Sequence, residues 1–456
     1  MIRFRSRILL VTPMCLLVLP AFLPGSAAHA ATRLVSNCND SGAGSLRAAV
    51  AGAMSGDTID LRSLTCPRIV LNGQVDIPQQ DLRLLGPGRF ALSIDGDAVG
   101  RVFQHTGAGT LYIDRMSITN GRVAGQGDNT VGGCIRSRGT VDLRRSRVHR
   151  CELYMDDYMN YNVAGGGIYA LNVRLNYSSV FYNKTGIYGF GGGVLADNVT
   201  LYHSQVYGNA VTGEGGGILA GDVTASYSLI HGNSANMGGG IYCQRLTLNK
   251  STVSNNRGVL RDFLGGFIEN EGGGIYVAGT AARSVIVDST ISGNRAYSSS
   301  VGSFLGEIAI YNSTITNNTE NYPEGDPGSA GPPESHGRGA VYAPKLRLES
   351  SILAGNQRTL GTPAYDLAYG STVTGSHNMI SHLGELVSAP ADTIVIADPR
   401  VAPLADNGGP TRTHMLLSDS PALDRGSNVL GRQYDQRGLG FPRVKGVAAD
   451  IGSIER

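Results

Sequence analysis

The sequence contains no tryptophan and few charged residues, which make up 16% of its 456 residues against a usual ~25%. The formal net charge is only +2. So small a charge provides no electrostatic reason to bind nucleic acid or an anionic membrane. Beyond the amino terminus, no apolar run approaches the ~18 residues that a spanning helix needs. We therefore expect neither a nucleic-acid partner nor a membrane span in the mature chain.

The amino terminus has the three parts of a secretory signal peptide. A basic segment over 3–7 precedes an apolar run over 8–23, and Ala28-His29-Ala30 provides the small residues of a cleavage site. We expect cleavage after Ala30. The mature protein is then expected to be secreted or held at the cell surface.

Glycine, by contrast, is abundant: 64 of 456 residues, about twice its usual share of ~7%. Many β-branched residues accompany it. Low charge and high glycine favour a solenoid of strands and turns over a helical one. A solenoid also suits the length, because its core extends along an axis instead of growing as a single compact core.

A repeated block begins at Gly165 and recurs with altered letters. Three of its columns hold one kind of residue in five copies. Ten residues after the first apolar position the column is serine: Ser178, Ser204, Ser228, Ser251 and Ser351. Fifteen residues after it the column is asparagine: Asn183, Asn209, Asn233, Asn256 and Asn356. Two residues after it the residue is small: Ala170, Ala196, Ala220, Cys243 and Ala343. A repeat held in register five times predicts stacked structural units.

Within each block the apolar residues occur in pairs two apart, which is the period of a strand with one buried face. The pattern predicts an all-β fold, a right-handed parallel β-helix of roughly 10–12 coils with three short strands per coil. The glycines are expected to allow a tight corner, and the asparagine column to be structural, with the left-handed turn geometry that asparagine tolerates. The segment Ser45 to Ala53 predicts a short cap helix over the first coil.

The chain accordingly divides into a signal peptide, a cap with the first coils, the repeats and a tail. The expected boundaries are 1–30, 31–100, 101–390 and 391–456. The tail is rich in Pro and Gly and is expected to pack on the solenoid. We expect the protein to be a monomer.

The connection after the asparagine column varies in length, with long inserts at 152–164, 257–271 and 319–336. In a stacked coil these connections emerge at one edge. Repeat scaffolds carry binding sites on such loops, although loops also simply tolerate insertion.

Two families share these patterns. The repeats resemble those of polymorphic outer-membrane proteins, which are surface adhesins. The tail resembles the choice-of-anchor Q family of exported β-helix proteins. Its matching stretches are 406–411 (DNGGPT), 420–424 (SPALD), 435–438 (DQRG) and 450–452 (DIG). The resemblance implies fold and export, and neither family implies an established activity.

Parallel β-helices also include pectate lyases and polysaccharide hydrolases, so acidic loop residues are candidates for catalysis. Elimination needs carboxylates for Ca²⁺ and a base, and hydrolysis needs two facing carboxyl groups. The candidates are Asp156, Asp157, Asp262, Glu269 and Glu271, with Arg261 and Arg338 as bases. Solvated loop charges are the competing interpretation, and no complete catalytic set is present. No cofactor is expected, except Ca²⁺ if the chain is a lyase.

Three tyrosines beside the first acidic pair, Tyr154, Tyr158 and Tyr161, could stack on sugars, although tyrosine is also an ordinary loop residue. Two functions therefore stay open. The first is a non-catalytic exported or surface protein that binds a polysaccharide or cell-surface glycan through loops on one edge. The second is a polysaccharide lyase or glycoside hydrolase.

The cysteines predict two bonds and one free thiol. Cys38 and Cys66 flank the cap helix, so a bond would tie the cap to the first coil. Cys134 takes the place of a glycine and Cys151 that of the asparagine in one coil, so closure of the coil would join them. Cys243 lies in the inward small column and is expected to be a buried, unreactive thiol.

Overall fold

The computed structural model describes residues 30–456 except 126–129, 155–162, 187–188, 259–270, 280–282, 298, 304–305, 321–338, 359–364, 368–370 and 384–386. The described chain winds in repeated coils through three parallel sheets, here called A, B and C. Sheet C consists of a two-stranded and a five-stranded part, linked by isolated bridges. Apolar side chains from each coil fill one continuous interior. The fold is the parallel β-helix that the repeat predicts.

Sheet A is the largest of the three. Its strands are Thr32–Leu34, Thr58–Asp60, Val75–Ile77, Leu82–Leu85, Phe103–His105, Thr110–Asp114, Ile135–Ser137, Thr140–Arg144, Ile168–Asn176, Val194–Tyr202, Ile218–Ser226, Ile241–Asn249, Ile275–Val277, Ser284–Val287, Val301–Ser303, Glu307–Tyr311, Val341–Tyr342, Lys345–Glu349 and Thr372–Ser376.

Sheet B and, in some coils, sheet C complete the coils. The strands of sheet B are Arg68–Val70, Ser93–Asp95, Ser117–Thr119, Arg147–His149, Ser179–Phe181, Gln205–Tyr207, Leu229–His231, Thr252–Ser254, Thr290–Ser292, Thr314–Thr316, Ile352–Leu353, Met379–Ile380 and Ile394–Val395. Those of sheet C are Arg122–Ala124, Glu152–Tyr154, Ser234–Ala235, Arg257–Gly258, Arg295–Ala296, Thr319–Glu320 and Gln357–Arg358. Over the described residues, sheet B alone has 13 strands, one more than the upper expected number of coils.

The first two strands predicted for each block are a single strand in four central coils, such as Ile168–Asn176. Its inward residues are Ile168, Ala170, Val173 and Leu175, so the inward phase shifts by one residue at Leu171. The pairing with the next coil also omits Leu171. One extra residue in a strand shifts the alternation as a β-bulge does, without turning the chain into a new sheet. Two of these four coils have the long strand, one strand in sheet B and one in sheet C. In the other two, a single bridged residue, Lys184 or Ala210, takes the place of the sheet C strand.

The serine and asparagine columns form buried hydrogen-bond ladders. The Nδ2 of Asn209 donates to the Oδ1 of Asn233 at 2.9 Å, and the Nδ2 of Asn233 donates to the Oδ1 of Asn256 at 2.9 Å. Serine hydroxyls repeat in the same way, with the Ser204 N–H donating to the Ser228 Oγ at 3.1 Å. Because a buried polar group costs free energy unless it is paired, these columns are structural.

The suggestion that the asparagine column adopts left-handed geometry is wrong. The left-handed residue is the one before it, with φ of 63° at Gly208 and 53° at Asn255. The column asparagine instead provides its amide to the interior. The third glycine of the triplet makes room for it: a Cβ at Gly217 would lie 3.0 Å from the Nδ2 of Asn233.

The predicted cap helix is present as Leu46–Ala51, with Ser45 as N-cap. The Ser45 Oγ accepts the Ala48 N–H at 3.2 Å, which satisfies one free donor of the first turn. Leu46 and Val50 are buried and cover the interior at the first coils. No helix among the described residues is long and apolar enough to cross a membrane.

The tail lies on the outer face of sheet B in the later coils. The Thr252 Oγ1 donates to the Arg412 carbonyl at 2.7 Å, and the Thr290 Oγ1 donates to the Gln436 Oε1 at 2.6 Å. His414 Nε2 and Ser292 Oγ are 2.8 Å apart. Small hydroxyl side chains thus form the docking face for the tail.

Both predicted disulfides are present. Cys38 is bonded to Cys66, and Cys134 to Cys151. Cys243 is free and fully buried in the inward column, and burial raises its thiol pKa far above the ordinary value.

Thiol counting on the unreduced protein without residues 1–30 is expected to find no reactive thiol in the native state and one in denaturant. Burial keeps Cys243 from the reagent and from the thiolate form until the interior opens. Labelling of native protein, or three thiols in denaturant, would contradict this cysteine assignment.

Candidate functional site

Most loop residues that the sequence proposes for catalysis lie outside the described residues. These are Asp156, Asp157, Asp262, Glu269, Arg261 and Arg338, together with Tyr158 and Tyr161. Their roles, and Ca²⁺ binding by a lyase, stay predictions. Among the described residues, no three His, Cys, Asp or Glu side chains are grouped to hold a metal ion.

Two loop candidates are described, and both are engaged in structure. Glu271 is only 8% exposed and pairs with the neighbouring coil at Met237. Tyr154 is 44% exposed, and the guanidinium of Arg122 lies 5.1 Å from its ring centroid. The ring of Tyr154 is therefore the one described loop candidate that a ligand could reach.

The long inserts start at equivalent places in the coil. Glu152, Arg257 and Thr319 belong to one column of sheet C, linked rung by rung through parallel pairing. The first two inserts also end in one column, since Ala164 is linked through the intervening coils to Glu271. The described residues at which these inserts begin and end are therefore consistent with loops that emerge at one edge of the solenoid. The direction in which the loops themselves project stays a prediction.

One described cavity, of about 250 Å³, lies on the outer face of sheet A near the first coils. Three carboxylates line it, but Arg83 pairs with Asp114 at 3.3 Å and Arg144 with Asp142 at 3.1 Å. The third carboxylate, that of Asp81, accepts the Thr110 N–H at 2.7 Å. All three are therefore engaged within the fold, and the cavity is explained as part of the packing of the sheet.

A larger cavity of about 680 Å³ lies where sheet A turns into sheet B, and we call it the A–B groove. Its volume is within the usual range for ligand sites. Four aromatic or imidazole rings line it: Phe90, Tyr177, His203 and Tyr207. Four arginines line it as well: Arg89, Arg115, Arg145 and Arg147.

The repeat itself brings these side chains together. The residue before each buried serine forms the turn between sheets A and B in the left-handed conformation, with φ of 47° at Arg145, 50° at Tyr177 and 46° at His203. Because this turn recurs at every coil, its side chains stack outside the solenoid. Arg115, with φ of 59°, precedes them by one coil.

Two stacks of rings follow from this geometry. In the turn column, the His203 ring centroid is 4.8 Å from that of Tyr177 and 4.9 Å from that of Tyr227, with the rings nearly parallel. On sheet B, Phe181 stacks between two rings at 4.6 and 4.7 Å, those of His149 and Tyr207. Such stacks hold large side chains in place, so the floor of the groove is preorganised.

A loop and the tail form the two ends of the groove. The loop over 87–90 is held by a 2.8 Å hydrogen bond from the Ser117 Oγ to the Arg89 carbonyl, and it presents Phe90 with 79% of its surface exposed. At the other end, a Cβ on Gly438 would lie 3.1 Å from the ring of Tyr227. The tail thus covers the next coils and leaves the groove open between them.

Burial lowers the pKa of the histidines around the groove. That of His149 falls from the usual 6.5 to about 4, first through desolvation and then through the nearby charges of Arg147 and Arg150. Desolvation also lowers the pKa of His203 and of His231. These imidazoles are therefore neutral at pH 7.

A pH titration tests the buried state of His149. Between pH 6.5 and 4, His149 is protonated in the unfolded chain but stays neutral in the folded chain. The free energy of unfolding therefore falls as the pH falls. His149→Phe keeps a ring against Phe181 and is expected to lose less stability over this range than the wild type. Urea midpoints at pH 7 and pH 4.5 measure the difference, and parallel losses in both proteins would refute the assignment.

The crystal structure of pectate lyase Pel9A matches this chain with a TM-score of 0.42 and 15% identity, over 94% of this chain and 98% of that chain. No protein-family model and no curated protein matches the chain. At this level of similarity no residue role is transferred from the lyase. The resemblance to choice-of-anchor Q and polymorphic outer-membrane proteins likewise stays a prediction.

The buried columns of the repeat do not by themselves indicate the A–B groove. A signal is nevertheless present in the printed sequence: the residue just before the serine column is Arg145, Tyr177, His203 and Tyr227 in successive coils. Three residues after the serine, a second column holds His149, Phe181, Tyr207 and His231. Outward columns rich in rings and arginine are unusual for a solvated face, so they could have indicated a ligand surface.

Proposed function

We propose that this chain is an exported, non-catalytic glycan-binding protein whose β-helix presents the A–B groove to a saccharide. The observation that supports the proposal is a preformed groove that combines exposed aromatic rings with fixed hydrogen-bond donors. Sugars have apolar faces that pack on rings and hydroxyl groups that need polar partners. Export and surface attachment are parts of the same proposal, and they rest on the sequence.

Ring deletions at two places distinguish the groove from the loop edge. Phe90→Ala is expected to weaken saccharide binding roughly threefold to tenfold, the equivalent of losing one aromatic contact. Tyr154→Ala, the matched deletion of an exposed ring at the loop edge, is expected to leave binding unchanged. Calorimetry against a panel of neutral and acidic oligosaccharides measures both. The reverse pattern would place the site at the loops, and a panel without any binder would end the proposal.

A second function, polysaccharide elimination, is favoured by one observation. In the described part of the chain the imidazole of His203 has no hydrogen-bond partner, and its lowered pKa keeps it neutral and able to accept a proton. Elimination from a uronate moves the proton beside the carboxylate to the base, forms a carbon–carbon double bond and releases the glycosidic oxygen, which takes up a proton. If the wild type forms an ultraviolet-absorbing unsaturated product from a polyuronate and His203→Gln does not, elimination is the function and non-catalytic binding is not.

A further inference from the structure

We infer that the A–B groove selects a polyanionic saccharide, one that carries uronate carboxylates or sulfate esters. The inference rests on the proposed function and names the ligand class of the same site. Its basis is an unbalanced local charge: every charged residue that lines the groove is an arginine. The whole chain carries only +2, so these four charges are a local concentration and not the share of a basic protein.

In the described part of the chain, the four arginines of the groove form no ion pair with a carboxylate, whereas many arginines elsewhere in it do. The four are Arg89, Arg115, Arg145 and Arg147. Outside the groove, ion pairs between arginine and a carboxylate recur along the solenoid, from Arg33 near the first coil to Arg437 in the tail. Grouped unpaired guanidinium groups repel one another, and a bound anion would relieve that repulsion.

Two of these guanidinium groups are held in place. The Cζ of Arg147 lies 4.9 Å from the ring centroid of Phe90 and 4.8 Å from that of Phe181. Arg89 donates from Nη1 to the Tyr177 carbonyl at 2.9 Å. Rings near the guanidinium of Arg147 restrict its movement, and its N–H donors lie in the plane of the group. A planar fork of donors matches the oxygens of a carboxylate or a sulfate.

The other two arginines extend the charge along the solenoid. Arg115 and Arg145 are exposed and occupy the turn column in adjacent coils. Adjacent coils are ~4.8 Å apart, so charges repeat along the axis at the spacing of the strands. Such a row suits a polymer with repeated anionic groups better than a single small anion. Phe90 and Tyr177 supply the ring surface beside it.

Calorimetry with three kinds of size-defined oligosaccharide tests the inference on the mature full chain. The probes are an oligogalacturonate, a sulfated oligosaccharide without uronate, and a neutral oligosaccharide of equal length. We expect one or both anionic probes to bind at least tenfold more tightly than the neutral one, and added salt to weaken their binding. Binding by the first probe identifies carboxylate as the recognised group, and binding by the second identifies sulfate.

The double variant R115Q/R145Q is expected to reduce the affinity for the anionic probe by roughly 10- to 100-fold, since it removes two charge-assisted contacts. The matched control is R257Q/R295Q. Those two arginines are also exposed and lie in adjacent coils, but they belong to sheet C. The control is expected to leave the affinity unchanged. Circular dichroism of both variants verifies that the fold is retained.

Four results would overturn the inference. If the neutral oligosaccharide binds as tightly and R115Q/R145Q has no effect, the ligand is not selected by charge, although glycan binding itself stands. If R257Q/R295Q weakens binding as much as R115Q/R145Q, the attraction is general charge and not the groove. If a single-stranded oligonucleotide binds more tightly than every saccharide, the groove recognises nucleic acid. Absence of binding to every probe would end the proposed function as well.

Discussion

Replacing Asn233 by alanine is expected to lower the free energy of unfolding by about 3 to 5 kcal/mol, near the upper end for a single substitution. The Asn233 amide donates to the Asn256 Oδ1 at 2.9 Å and to the Val206 carbonyl at 3.0 Å. It accepts from the backbone N–H and from the Nδ2 of Asn209. Alanine leaves these buried groups without a partner, at about 1 to 3 kcal/mol for each group that water cannot reach.

The matched control is Asn198→Ala. Asn198 also joins a neighbouring coil through an amide hydrogen bond, from its Nδ2 to the Asn172 Oδ1 at 2.8 Å, but it is exposed. Water replaces the lost partner, so a loss within ~0.5 kcal/mol is expected. Urea unfolding followed by circular dichroism compares the two variants with the wild type. Equal losses would mean that the buried ladder adds nothing beyond a surface contact.

Removing the Cys134–Cys151 bond is expected to have an effect that depends on what replaces it. The bond closes a loop of 17 residues in sequence separation, so C134A/C151A should lose about 3 kcal/mol in the chain-entropy model. C134G/C151N instead restores the residues that other coils have at these positions. The Cys151 N–H already donates to the Asn183 Oδ1 at 3.0 Å, so an asparagine side chain at this position would extend the ladder by one coil.

We expect C134G/C151N to recover about half of the stability that C134A/C151A loses, because the new amide makes buried hydrogen bonds worth ~1 kcal/mol each. Both variants are measured without reductant in the same urea series, so that Cys38–Cys66 stays intact. If the glycine and asparagine pair is no more stable than the alanine pair, the disulfide is not a substitute for a rung of the ladder.

The polar columns and the cysteines were predictable because they belong to the repeat. Each column position meets its equivalent in the next coil, so a serine that recurs at one position must stack on the next serine. The same argument places Cys134 and Cys151 together, since they occupy the glycine and asparagine positions of one coil. It also places Cys243 among inward alanines. In each case the period of the repeat was sufficient to predict the contact, because a parallel stack places equivalent residues of successive coils next to each other.

The bulge at Leu171 was not predictable from the same pattern. Spacing of inward residues shows where the alternation shifts, but a sharp corner and a bulge both shift it by one residue. Pairing between coils distinguishes them: the register continues on both sides of Leu171 in sheet A. Backbone hydrogen bonding with neighbouring coils thus decides whether a strand continues or ends.

The sequence by itself determined the parallel β-helix, the serine and asparagine columns and the pairing of the cysteines, because burial constrains each inward position. Tertiary structure alone decided the A–B groove. The loop over 87–90 and the tail near Gly438 form its two ends, and the turns of four successive coils form its floor. Outward side chains do not pack in the interior, so burial does not restrict them to one residue type at each position of the repeat. Only the folded chain shows which of them lie under a loop, which the tail covers, and which arginines are left without a carboxylate.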